Sequence, residues 1–251
     1  MKKRIQSFFL ILSIFVAWQI IDGLFFKDTN LIPTPAEILQ SFYVLVLKGD
    51  IFIHIFQSVF RIIVGFCLAT VVGVFMAMLL GYYNSLGRLV KPLIEMLRPI
   101  PPIAWIPIAI LIFGLGNYSA FFIVFLGAVF PIFTNTYFGV RSLPEIYKNV
   151  ANTFELDRKK YILKVLFPFS LPYIFAGLRI GMGMAWMSVI ASELIGAQSG
   201  LGYFIQFSRL LLQTDKIIVG MIIIGLIVYL LIKVIDIAEY VFVPWLRKKV
   251  C

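Results

Sequence analysis

The chain has 251 residues, of which 61% are hydrophobic and 14% charged, with a mean hydropathy of +1.00. A soluble globule of this length cannot bury so much apolar surface, so cytosolic enzymes, secreted disulfide scaffolds and disordered tails are excluded and an all-α, polytopic membrane protein remains. The excess of 22 Lys+Arg over 12 Asp+Glu, net +10, would suggest nucleic acid in a soluble protein, but in a membrane it marks basic cytoplasmic loops.

The chain opens Met-Lys-Lys-Arg and runs apolar from Ile5 to Phe26. A signal peptide starts the same way, but its apolar stretch is shorter and a small-x-small cleavage site follows. The run is read as a first spanning helix, with cleavage as the alternative. Residues 27–52 come next, with Pro33-Thr-Pro35-Ala-Glu37 as a helix start. Ile38, Leu39, Phe42 and Leu45 then recur at helical spacing, which predicts a short amphipathic helix at the outer interface. Further apolar runs fall at about 53–82, 99–116, 118–140, 171–195 and 216–240. A span needs about 20 residues. The third run is short, and Pro99, Pro101, Pro102 and Pro107 predict a kinked, partly unwound backbone there. Six transmembrane helices in one domain over 1–251 is the expectation, or five if that run only re-enters the membrane.

Orientation follows from Lys and Arg near the span ends. Lys2, Lys3, Arg4, Arg88, Lys91, Arg98, Arg141, Lys148, Arg158, Lys159, Lys160, Lys164, Arg247, Lys248 and Lys249 fall in one set of gaps. The other set holds Lys27, Lys48, Arg209 and Lys216, offset by Asp22, Asp28, Glu37, Asp50 and Asp215. Both termini are therefore expected in the cytoplasm, which requires an even number of spans. The two cysteines, Cys67 and Cys251, make no disulfide framework.

Among the cytoplasmic gaps, 141–170 stands out. Arg141 to Pro172 reads RSLPEIYKNVANTFELDRKKYILKVLFPFSLP. Pro144 and Glu145 open a first helical pattern, with Ile146, Val150, Ala151 and Phe154 on one face. Asp157 is placed to cap a second helix carrying Arg158, Lys159 and Lys160, with Phe167-Pro168 and Leu171-Pro172 expected to end it. An apolar knob on a cytoplasmic helical hairpin has the form of a docking surface. Packing against the membrane surface is the other reading.

This loop resembles the EAA motif of binding-protein-dependent ABC importer permeases: Glu-Ala-Ala, three residues, Gly, nine residues, then Ile-x-Leu-Pro. Aligned on Pro168, Asn149, Val150 and Ala151 take the Glu-Ala-Ala places, Glu155 the Gly, and Val165 and Phe167 the Ile and Leu. Ala151 and Pro168 match, and Val165 is conservative. Glu155 departs most, because Glu does not take a positive φ as cheaply as Gly, so a different local turn is expected. Leu97-Arg-Pro-Ile-Pro-Pro-Ile-Ala-Trp-Ile-Pro-Ile-Ala-Ile110 resembles the nitrate/sulfonate/taurine subfamily. So do Gly177-Leu-Arg-Ile-Gly-Met-Gly-Met-Ala-Trp186, Glu193-Leu-Ile-Gly-Ala-Gln-Ser-Gly-Leu-Gly-Tyr203 and Gly220-Met-Ile-Ile-Ile-Gly225.

The resemblance implies a type I importer permease in a bacterial cytoplasmic membrane. It implies a dimer with a second copy, cytoplasmic ATPase subunits and an extracytoplasmic binding protein, all within membrane lipid. ATP and Mg would be bound by the ATPase, and no cofactor, metal, nucleic acid or catalytic residue is expected here. Consistently, the sequence has no Gly-x4-Gly-Lys-Ser/Thr loop. Asn149, Val150, Ala151, Phe154, Glu155, Leu156 and Asp157 are expected to couple to the ATPase. The subfamily serves nitrate, sulfonates, taurine, bicarbonate and aromatic vitamin precursors, and nothing in the chain selects among them.

Arg179, Trp186 and Glu193 are spaced by seven and share one helix face. Ionisable residues in a span face the bundle interior or a water-filled cavity, so this face is expected to border the translocation pathway, with Arg179 attracting anions. The alternative is that Arg179 snorkels or bonds to carbonyls near the cytoplasmic side. Gly177, Gly181, Gly183 and Ala185, like Gly65, Gly73 and Ala77, read as helix-packing positions. His54, Ser58 and Arg61 share a face at the outer start of the second span, where an interhelical hydrogen bond is expected of His54 rather than metal ligation. A secondary transporter, the alternative function, would call for acidic residues in mid-membrane and paired repeats. A membrane enzyme would need a reactive cluster at one depth. The sequence offers neither.

Overall fold

The computed structural model describes residues 33–245. The expected first span, 5–26, and the basic C-terminal residues lie outside them. All regular structure among the described residues is helical: α1 Pro35–Lys48, α2 Asp50–Tyr82, α3 Asn84–Leu97, α4 Ile106–Phe113, α5 Asn117–Arg141, α6 Glu145–Thr153, α7 Arg158–Gly196, α8 Leu201–Leu210 and α9 Thr214–Phe242. Four of these, α2, α5, α7 and α9, are long and apolar enough to cross a membrane. A fifth crossing would be α3 joined to the Pro102–Phe113 segment across an 87° bend.

α1 begins where the sequence signals it. Thr34 Oγ1 accepts from the Glu37 amide at 3.2 Å and the Glu37 carboxylate accepts from the Thr34 amide at 2.9 Å. Such a reciprocal cap satisfies two of the helix's orphan donors. Gly49, at φ 80, then turns the chain straight into α2. Ile38 and Leu45 join the core, while Leu39 is exposed, and Ser41 donates to Asp215 at the start of α9.

α5 is the centre of the bundle, packed along its length against α2 on one side and α7 on the other. Small residues make this close approach feasible. A Cβ added at Gly65 would fall 2.6 Å from the Val124 side chain, and one at Gly139 would fall 2.6 Å from that of Tyr173. The main cluster joins Ile62, Phe66 and Ala69 of α2, Val124 and Ala128 of α5, Ala185, Trp186 and Val189 of α7, and Val219 and Ile223 of α9.

The proline-rich run 99–116 is not one helix. It begins with a tight 3-10 turn, Pro102–Trp105, and continues as the eight-residue α4. Eight residues rise only about 12 Å, less than half a membrane. It is preceded by α3, a helix in the 83–98 stretch that the sequence reads as a cytoplasmic loop, and only the two joined across the bend would be long enough for one crossing. Val90 and Ile94 of α3 pack with Ala77, Leu80 and Phe133 on the lower halves of α2 and α5, whereas Ile106 and Ala109 pack with Ile123 near the top of α5.

The second helix of the 141–170 loop also differs from expectation. It does not end at Phe167-Pro168 or Leu171-Pro172 but runs unbroken from Arg158 to Gly196. A proline removes an amide donor and crowds the carbonyl four residues back. Here a π-helical stretch, Ile162–Leu166, immediately precedes the prolines and shifts the bonding pattern, so the helix absorbs them.

Candidate functional site

The connection between α5 and α7 is built around α6. Pro144, extended at φ −60 and ψ 142, launches the helix, and Glu145 places a negative charge in its first turn. The expected apolar face divides in two. Ala151 turns inward and is 4% exposed, whereas Ile146, Val150 and Phe154 point outward, Phe154 being 74% exposed. α6 packs closely against no other helix and touches the bundle through contacts such as the Tyr147–Phe169 ring pair. It therefore presents an apolar stripe at i, i+4 and i+8 that none of the described residues covers.

The end of α6 answers the question raised by Glu155. Glu155 adopts φ 47, the left-handed conformation for which Gly is suited. The Phe154 amide donates to the Val150 carbonyl at 3.1 Å, and the Leu156 amide reaches back to Ala151 at 3.0 Å, closing the helix in the manner of a Schellman cap. The turn survives without glycine, contrary to the expectation of a different one. Asp157 begins α7 without a side-chain cap bond.

At the other end of the bundle lies a buried polar tie. Arg61 and Glu193 form an ion pair at 2.8 Å, with residue exposures of 3% and 1%. Every direction around it is occupied. Ser58 Oγ donates to the Glu193 carboxylate at 2.8 Å and accepts from the Leu201 amide at 2.8 Å. The Gly202 amide donates to Glu193 Oε2 at 2.9 Å. Arg61 also donates to the Ser199 carbonyl at 2.6 Å, to Ser199 Oγ at 3.0 Å and to Asn117 Oδ1 at 2.9 Å. The Gly200 amide donates to His54 Nδ1 at 3.2 Å, the interhelical bond expected of that residue. Gly200 holds φ 112, and a Cβ there would overlap the Glu193 carboxyl. The stretch Gly200-Leu-Gly202 is thus what lets the backbone close over a buried carboxylate. Four segments, the starts of α2, α5 and α8 and the end of α7, meet at this point.

The structure does not bring Arg179, Trp186 and Glu193 into one pathway-lining site. Trp186 and Glu193 are buried within the subunit, whereas the Arg179 side chain is 38% exposed. Arg179 is paired with Asp236 at 2.9 Å and with Glu239, both on α9. Trp186 is buried in the main cluster, and Glu193 is held in the tie. The charge of Arg179 is already compensated, by carboxylates that the sequence analysis did not connect to it. Ser58, Arg61 and His54 could be grouped from their helical spacing. Asn117, the first residue of α5, and Ser199, in the bend before α8, by contrast carry no periodic signal. No cluster of three or more potential metal ligands occurs among the described residues.

A helical bundle with several helices long and apolar enough to cross a membrane is the form of a membrane transport protein, and comparison with known proteins agrees. Residues 69–248 match the family model of binding-protein-dependent transport system inner membrane components. The chain is 34% identical to the nitrate import permease protein NrtB of Synechocystis sp., covering 96% of this chain and 90% of that one. It is 34% identical to the putative aliphatic sulfonates transport permease protein SsuC of Bacillus subtilis, over 92% of this chain and 84% of that one. It is 36% identical to the bicarbonate transport system permease protein CmpB of Synechococcus elongatus, over 80% and 70%. Among solved structures, the MetNI methionine ABC transporter matches with a TM-score of 0.66 at 19% identity, over 74% of this chain and 93% of that one, which supports the same fold.

The chain belongs to the binding-protein-dependent transport system inner membrane components. It is a multi-pass permease subunit of an ABC importer, not an enzyme, and works with a separate ATPase and a substrate-binding protein.

Proposed function

We propose that this permease imports a small anion of the nitrate, sulfonate or bicarbonate type, and that α6 and the turn after it transmit the ATPase's movement to the spanning helices. The observation that carries the second part is the outward stripe of Ile146, Val150 and Phe154 on a helix that stands off its own bundle. An apolar ridge of this kind gains free energy only when a partner covers it. Asn149, Val150, Ala151, Phe154, Glu155, Leu156 and Asp157 form the contact, with Phe154 as the anchor and Glu155 and Asp157 as the polar margin. ATP and Mg reside in the ATPase. The related anion permeases support the substrate class, and a homodimer is the simplest assembly with one permease sequence.

The test is to purify the complex with its ATPase and binding protein and to compare Phe154→Asp with wild type. Burying that aromatic ring contributes about 2 kcal/mol or more, so the variant should lose the ATPase on gel filtration or lose hydrolysis stimulated by the loaded binding protein. Intact assembly with normal stimulation would refute the assignment.

A further inference from the structure

The bend between α3 and the Pro102–Phe113 segment borders a cavity of about 260 Å³ between the end of α3, α5 and α7. Its polar lining is Arg98, Thr134 and Asn135, and its apolar walls include Phe130, Ile180 and Met184. The α5 residues on its wall run up to Asn135 from Leu126, around the middle of a helix that spans 117–141. The cavity therefore lies beside the middle of α5, and Arg98, exposed in the single subunit, lines it instead of standing apart in a polar loop.

Arg61 and Arg179 lie inside the long apolar helices α2 and α7, and Arg98 caps the end of α3. Arg61 is paired with Glu193, and Arg179 with Asp236 and Glu239. Arg98 has no carboxylate partner among the described residues. The Thr134 hydroxyl likewise makes no hydrogen bond among them, and Asn135 uses one amide hydrogen on the Pro131 carbonyl at 2.9 Å, leaving the other free. An uncompensated cation at membrane depth is costly unless a water-filled cavity or a counter-charge meets it. Donors without acceptors that line one cavity with a guanidinium favour oxygen atoms carrying negative charge. The planar fork of arginine matches two oxygens of one group. The volume admits a small solute and is below the range typical of drug-sized ligands.

We infer that this cavity is a binding site for a small oxyanion in transit, with Arg98 as the anchor and Thr134 and Asn135 as further donors. The inference rests on the reading of the chain as an anion importer and adds a selective site inside the permease itself.

The experiment uses the full complex in proteoliposomes, supplied with its binding protein and with labelled nitrate, bicarbonate or methanesulfonate. Wild type should take up at least one of these, and uptake of none overturns the anion reading and this site together. With an imported anion in hand, R98Q should lower uptake about tenfold or more, the size expected for losing a charged hydrogen-bonding partner. R98K should retain about threefold more than R98Q. Uptake by R98Q within twofold of wild type overturns the site and leaves the anion reading standing. Should R98Q fail to assemble, T134V decides, because it keeps the shape and removes the donor: a loss of about threefold or more is expected, and unchanged uptake overturns the site.

Discussion

At the scale of single residues, the strongest energetic statement concerns Glu193. Its carboxylate is enclosed by Arg61, Ser58 and the Gly202 amide. Removing one member of such a pair leaves the other charge buried and unmatched, which costs about 3–5 kcal/mol, whereas replacing both with apolar groups of similar volume is often neutral. Glu193→Ala should therefore lower the thermal stability of the purified complex sharply. The double variant Arg61→Met, Glu193→Leu should recover much of the loss. Equal melting temperatures for Glu193→Ala and wild type would show that the pair is not structural. The sequence placed Glu193 on a functional face because an acidic residue at helical spacing from an arginine suggests a pathway. It could not show that the arginine meeting Glu193 lies 132 residues away, since such pairing exists only once α2 and α7 are side by side.

At the scale of elements, α1, α5 and the ends of α2 and α9 were legible because capping residues and apolar periodicity are local signals. Two elements turn on proline: the break within 99–116, which the sequence predicts, and the long α7, which it does not. Proline announces an interruption but does not say whether the chain bends, as between α3 and Pro102–Phe113, or absorbs it in a π turn, as at Ile162–Leu166. Packing against neighbours decides. The turn after α6 allows a direct test. Glu155 holds a left-handed backbone at a cost of about 1 kcal/mol. Glu155→Gly removes that strain but loosens the unfolded chain, so the expected net gain is under about 1 kcal/mol. It should appear as slower amide exchange across 145–157 in the assembled complex. Faster exchange there would mean that the glutamate side chain, rather than the backbone, holds the turn.

At the scale of the whole molecule, charge sets the orientation. Removing Arg98 from the cytoplasmic tally leaves its sign unchanged, because α6, the start of α7 and the C-terminal residues still supply most of the positive charge. We expect both termini in the cytoplasm. A fluorescent protein fused after Cys251 should fluoresce, while a periplasmic alkaline phosphatase fused after Leu212 should be active. The reverse pattern would invert the topology and move α6 away from any ATPase. Composition made the membrane class legible at once, and sequence resemblance made the family legible. The cavity beside α5 was not, because it arises where three separate stretches meet around a bend.

The continuity of α7 has a mechanical consequence. Its 39 residues form a rod about 58 Å long at the usual helical rise. One tip carries the turn after α6, and the other is fastened through Glu193 to the starts of α2, α5 and α8. A tilt of about 10° about the middle of such a rod displaces each tip by about 5 Å. Under the proposed coupling, a push on the tip beside α6 would have two outlets: bending at the π turn beside Pro168, or leverage on the turn fastened through Glu193. The stiffness of that one π turn sets how much of an inner stroke reaches the outer face.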